Sequence, residues 1–413
     1  MVSEGSKTAF LIVAMLVLGS WNTLNTKFQF QTCVPIAVQY QDIEKCPGGG
    51  AKKFDKPWLD NMFMFIGEAS LIIVYGLSRR RNRRAEARTL QVDPAQVEQG
   101  LLPADQGRKL PLYIFGIPAF CDVFGTGLAT VGMQYMDSAI WQMLRSAIII
   151  FSALLSVTFL GKRLPPYKWV AVAIVFVGLV LVGYASMMDP DSPAGTTPES
   201  GGSEKAFGIA LVVGAQLVSA FQMVFEEKLL TGSVKCSAKK VVGMEGLWGG
   251  FFMIIILILM STLPGKDAGH FEYTPQGLEM LAASPTLLVL IPTYMISIAF
   301  YNLVGITVGK RMSAVVRCLV DSCRTVVVWA VNLIIFYGFS ETYGSPWKPH
   351  SWLTAVGFLV LIFGTLMYNE VLPMPKCLQL PEEVAPGDTD SVLERVTSDL
   401  VVLKADIAAE SDD

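Results

Sequence analysis

Two stretches decide the fold: QMLRSAIIIFSALLSVTFLGKRL (142–164) and VDSCRTVVVWAVNLIIFYGFSE (320–341). Each is a long apolar run enclosing an arginine, Arg145 or Arg324, and each arginine is followed seventeen residues later by another charge, Lys162 or Glu341. Just upstream, ATVGMQYMDSA (129–139) is answered by ITVGKRMSA (306–314), so the echo extends into the preceding segment and divides the chain into two halves. Hydrophobic residues make up 52% of the 413 residues and charged ones 16%, with a mean hydropathy of +0.49. That balance excludes a soluble protein of this size and points to an integral membrane protein.

Crossing about 30 Å of hydrocarbon takes roughly 20 helical residues. Apolar stretches of that length begin near Thr8, Trp58, Leu112, Ala139, Trp169, Ala206, Val241, Thr286, Ser313 and Ser351, which makes ten. Strands of a membrane barrel would alternate in polarity. These runs are apolar on every face, as in 254–260 and 148–155, and read as helices. The expected fold class is all-α integral membrane, with about ten transmembrane helices.

Basic residues are retained on the cytoplasmic side during insertion. With the N-terminus inside, 19 of the 32 Lys and Arg flank cytosolic segments and seven fall in the opposite loops, so both termini are expected to be cytosolic. Five spans per half is an odd number, so the second half enters the membrane upside down relative to the first. The expected organisation is a five-plus-five inverted repeat: 1–187, a non-cytosolic linker at 188–205, 206–372, and an acidic, largely disordered cytosolic tail at 373–413. Such repeats hold a solute site between them near the bilayer midplane and expose it alternately to the two sides. The apolar core after Lys7 continues into SWNTLNTKF without a small-residue cleavage site and is expected to stay as an anchor.

The chemistry lies with polar residues inside the spans. Glu68, Asp122, Arg145, Glu245, Asp321 and Arg324 all lie within apolar segments. Turned to lipid and ionised, each would cost about 2.5–3.5 kcal/mol on the gentlest scale, roughly 15–20 kcal/mol for the six, so they are expected to face the interior. Asp321 and Arg324 are three residues apart and share a helix face. Their pairing either fixes the helix orientation or, given the matched arginines, belongs to a central anion-binding site. Four carboxylates against two guanidinium groups leave an excess of negative charge. Burial favours the neutral acid, so Glu68 or Asp122 is placed to take up and release a proton, or stands as a permanently neutral, hydrogen-bonded acid. Asn22, Gln222 and Asn302 add polar atoms that serve as interhelical glue or as solute contacts.

Outside the spans, Cys33 and Cys46 lie in a long non-cytosolic loop and are either a disulfide or two free thiols. RRRNRRAEAR (79–88) reads as a topology signal or as a contact to anionic lipid, without the interleaved aromatics of a nucleic-acid surface. No phosphate-cradling loop, zinc-helix motif or nucleophile elbow occurs, and the two histidines, His270 and His350, fall in predicted non-cytosolic loops. Neither a cofactor, a bound metal nor an enzyme activity is therefore expected.

GSWNTLNTK, CDVFGTGLATVGM, QMLRSAIIIFSALLSVTFLGKRL, FQMVFEEKLL and SIAFYNLVGITVGKRMSAVVRCLVDSCRTVVVWAVNL together resemble the solute carrier 35 family, subfamily F, of the drug/metabolite transporter superfamily, and more distantly the chloroquine resistance transporters. The resemblance runs over 8–372. It implies the ten-helix inverted-repeat carrier fold, residence in lysosomal or related endomembranes, with Golgi and mitochondrial membranes as alternatives, and one of two solute classes: nucleotide sugars, or amino acids, peptides and cationic drugs exported with protons.

The leading expectation is a secondary-active, proton-coupled carrier of a small polar or zwitterionic solute, with Arg145 and Arg324 binding its anionic groups. A nucleotide-sugar transporter is the alternative. A second alternative is a membrane protein without transport activity that binds a protein partner through its tail.

Overall fold

The computed structural model of the chain describes residues 4–35, 46, 51–90, 111–133, 144–145, 147–188, 202–231, 237–339 and 346–372. The helices in chain order are α1 Glu4–Gln31, α2 Pro57–Leu90, α3 Gly116–Met133, α4 Ala147–Leu160, α5 Pro166–Met187, α6 Gly202–Thr231, α7 Ala238–Thr262, α8 Pro285–Arg311, α9 Ala314–Gly338 and α10 Ser351–Tyr368. A short helix, Thr274–Ala283, lies in the loop before α8. Among the described residues nine helices are long and apolar enough to cross a membrane, and α4 contributes a shorter apolar helix. The expected start of the fourth span near Ala139 lies outside the described residues, as does the tail 373–413. Of the expected linker, 202–205 already belongs to α6, and 189–201 lie outside the described residues.

Local chemistry sets the helix starts. Pro57, Pro166 and Pro285 sit at first helical positions, where the missing N–H is no loss. Ser284 caps α8 by accepting from Leu287 N, and Ser313 caps α9 by accepting from Val316 N at 3.1 Å. Pro292 interrupts the hydrogen-bond ladder of α8. Around it Thr293 Oγ1 donates to Val289 O at 2.9 Å, and Asn25 Nδ2 reaches from α1 to Leu290 O at 3.1 Å.

Two short strands, β1 Cys33–Pro35 and β2 Ala51–Lys53, pair antiparallel between α1 and α2. Beside them Cys33 and Cys46 are joined by a disulfide, Cα to Cα 6.0 Å. This end of the bundle is called the disulfide face below. α2 and α8 both start there, and α1 and α7 both end there.

The packing has an exchange pattern. Replacing every helix by the one five places along maps the pairs α2–α7, α4–α9 and α5–α10 onto themselves. It also swaps α1–α8 with α3–α6, α1–α9 with α4–α6, and α2–α8 with α3–α7. Glycine enables the closest of these approaches. A Cβ on Gly178 of α5 would stand 2.8 Å from Gly357 O of α10, and one on Gly357 would stand 2.9 Å from Gly178 O. On α7, a Cβ on Gly246 would collide with the backbone of Glu68 and Ala69. Gly246 thereby lets α2 lie directly against α7, bringing Glu68 alongside Glu245.

Candidate functional site

The six ionisable residues singled out in the spans fall into two clusters beside one face of α9. Arg317, Asp321 and Arg324 are spaced i, i+4 and i+7, so they share that face over two turns, about 10 Å of rise.

The first cluster is acidic. Glu68 of α2, Asp122 of α3, Glu226 of α6 and Glu245 of α7 lie within Coulombic range of one another and of Arg317. Arg317 forms a buried ion pair with Glu226, and Gln222 donates to Glu226 Oε1 at 3.0 Å. Asn302 of α8 donates to Glu68, while Glu245 Oε1 has no hydrogen-bond partner among the described residues. Four carboxyls share one guanidinium. Among the described residues of this cluster that is a formal excess of negative charge.

The second cluster is basic. Arg324 faces Asp321 at 3.5 Å and lies 5.6 Å from the ring centroid of Tyr301, whose hydroxyl donates to Asp321. Arg145 is exposed, yet Arg324, Asp321 and Tyr301 lie close enough to act on its charge. Two guanidinium groups repel across one carboxylate, and an anionic group placed between them would relieve that repulsion.

The structure distributes the six sequence-derived ionisable residues over these two clusters. Asp321 sides with the two arginines, and the counter-charge among the other acids is Arg317, which sequence reasoning passed over. Glu226 and Glu227 were also missed. Glu227 accepts from Ala314 N at 2.7 Å, at the start of α9, and pairs with Lys162. Both acids end an apolar run beside Lys228 and so looked like head-group charges. Asn22 accepts from Ser297 and helps bind α1 to α8, while Lys27 donates to Asn332 Oδ1 at 2.8 Å.

At the disulfide face a third set of charges ties the loop before α8 to α2. Asp267 pairs with Lys52 at 2.6 Å and with the fully buried Lys56, and Gln276 accepts from Lys56 at 3.0 Å. Burial works against the Asp267 charge, but these partners and the Tyr273 N–H outweigh it and hold its carboxyl below the usual range. Glu272 accepts from Trp58 N at 2.9 Å and Leu59 N at 2.8 Å, capping α2 from the other half of the chain. Burial pushes its carboxyl up to about 7 from an ordinary 4.5, against the pull of those N–H groups.

The sign of the resulting pH dependence follows from that raised value. The folded state holds a proton on Glu272 that the unfolded chain has released, so this stability is fully present below about 4.5 and is lost as pH rises through about 7. Its size is on the order of 3 kcal/mol. Thermal unfolding of the purified protein at pH 5 and pH 8 is expected to show the higher midpoint in acid, and Glu272→Gln should shrink the difference. An unchanged difference in the variant would show that Glu272 does not carry it.

Comparison with known proteins adds a further constraint. The nucleotide-sugar transporter family model matches residues 105–271. Solute carrier family 35 member F6 of Homo sapiens is 34% identical over 368 residues, covering 87% of this chain and 88% of that protein. The UDP-N-acetylglucosamine/UDP-N-acetylgalactosamine transporter nstp-4 of Caenorhabditis elegans is 32% identical over 117 residues, 28% of this chain and 34% of its own length. A solved crystal structure matches with a TM-score of 0.53 at 14% identity, over 90% of this chain and 99% of that one, a likeness of fold alone.

Proposed function

The chain belongs to subfamily F of solute carrier family 35, and on that premise we propose that it is a secondary-active, proton-coupled carrier of a small zwitterionic solute across an endomembrane. The observation that carries this reading is the separation of charge along α9: two arginines with one acid at one level, and four acids with one arginine two turns away. A solute with an anionic and a cationic end matches both levels. Without the solute, protons neutralise the acids.

The exchange pattern in the helix packing supports the five-plus-five inverted repeat, with α2–α7, α4–α9 and α5–α10 meeting on its pseudo-two-fold axis. Rocking of one half against the other would then expose the clusters alternately. The bias of Lys and Arg supports cytosolic termini. The Cys33–Cys46 disulfide on the opposite face supports an oxidising lumen.

A nucleotide sugar is the second reading, favoured by the family-model match and by a guanidinium pair suited to a pyrophosphate. The acid cluster weighs against it. Thermal-shift measurements on the purified protein with amino acids, short peptides and nucleotide sugars separate the two. A ligand present at about 100 times its Kd adds roughly 2.7 kcal/mol. Stabilisation by zwitterions is expected, and stabilisation by nucleotide sugars alone would replace the first reading with the second.

A further inference from the structure

Neither charge cluster accounts for Asp60. It lies in the first turn of α2 and is buried, at 4% exposure. Tyr294 of α8 and Thr26 of α1 hydrogen-bond its carboxyl, while Oδ1 has no partner among the described residues. From the loop before α8, Glu272 acts on it by charge, with Lys56 next to Glu272. From α7, Met253 and Leu257 pack with Leu59 and Phe63, and Ser261 Oγ donates to Glu272 O at 3.3 Å.

Asp60 and Tyr294 form one rung between α2 and α8, and Glu68 with Asn302 forms another eight residues further along each helix. Both helices run inward from the disulfide face, so the rungs stack, with about 12 Å of rise between them. Tyr294 stands within Coulombic range of Asp60, Glu68 and Asp122 together. Carboxyls thus descend from Glu272 at the disulfide face, through Asp60, to the acid cluster. A buried acid stacked above other acids, with a phenol bonded to the first and within Coulombic range of the others, is an arrangement suited to a proton relay.

We propose that Asp60 and Tyr294 are the proton entry from the disulfide face to the acid cluster, an inference that rests on the proton-coupled reading above. In the step, the Asp60 carboxylate takes a proton from water on that face. The Tyr294 hydroxyl takes the proton from Asp60 while its own leaves through water between the two rungs to the Glu68 carboxylate. Asp60 is left a carboxylate, Glu68 a neutral acid and Tyr294 unchanged, so one proton has moved inward.

The test needs no solute. The full-length protein is placed in proteoliposomes sorted to carry the disulfide face outward, the external pH is dropped from about 8 to about 5.5, and the carbonyl stretch of protonated carboxyls is followed by time-resolved infrared spectroscopy. In Asp60→Asn one carboxyl is lost from the band, and the rest should rise about tenfold or more slowly. Tyr294→Phe, which removes one hydroxyl and keeps the ring, should slow the rise while losing no carboxyl. Asp60→Glu should restore the wild-type rate, a rescue that a purely structural Asp60 would not give. A wild-type rise in both Asp60→Asn and Tyr294→Phe would overturn the relay and leave proton coupling standing. If no membrane carboxyl took up a proton even in the wild type, the relay and the coupling would fall together.

Discussion

Replacing Arg317 by Met is expected to destabilise the protein by about 3–5 kcal/mol, the loss typical of removing one partner from a buried ion pair. Glu226 is 2% exposed, and Arg317, itself nearly buried, is the counter-charge it pairs with. Without it, four carboxyls face one another with no guanidinium among them. The double variant Glu226→Gln, Arg317→Met should recover most of the loss, since removing both charges leaves nothing to compensate. Unfolding midpoints of the wild type, both single variants and the double variant form the cycle that measures this coupling. An Arg317→Met protein as stable as the wild type would show that the pair with Glu226 does not hold the fold.

Arg324→Gln is expected to act in the opposite way, with a large effect on solute and a small one on the fold. Its link to Asp321 is long, at 3.5 Å, and both side chains are partly exposed, at 19% and 26%. Asp321 also keeps Tyr301 as a donor. A charge-assisted hydrogen bond to an anionic solute contributes about 1.5–3 kcal/mol, which converts to roughly a 10- to 150-fold loss of affinity. Arg145→Gln should weaken binding similarly. It removes like-charge repulsion with Arg324 together with the attraction of Asp321, so the stability of the unliganded protein should change little. Ligand titrations and melting curves on both variants check the two expectations. Weaker binding accompanied by equal destabilisation would make the arginines structural.

The fold could be read from the chain because its signal is local: long runs apolar on every face, ended by proline, serine and basic residues. The candidate site was legible only in part. Burial of Glu68 and Glu245, and partial burial of Asp122, Asp321 and Arg324, followed from the expense of a charge in hydrocarbon, and the i, i+3 pairing of Asp321 with Arg324 followed from helical geometry. The division into two clusters did not, because it depends on which helices meet. Gly246 decides that Glu68 lies against Glu245, and the approach of α6 to α9 decides that Arg317 meets Glu226. Asp60 was passed over because an acid three residues after Pro57 looks like a helix-start charge in contact with water. Arg317 follows Lys310 and Arg311 closely enough to be taken for the same basic end.

The central claim is that two halves of the chain enclose one ionisable cavity through which a solute and a proton pass. Uptake into proteoliposomes of a panel of amino acids, short peptides and nucleotide sugars, with and without an imposed pH gradient, tests it most directly. The account predicts that at least one zwitterionic solute accumulates only with the gradient, and that Arg324→Gln abolishes the accumulation in a protein that is still folded. A folded wild-type protein that moves no solute under any gradient, or whose transport ignores pH, would contradict it.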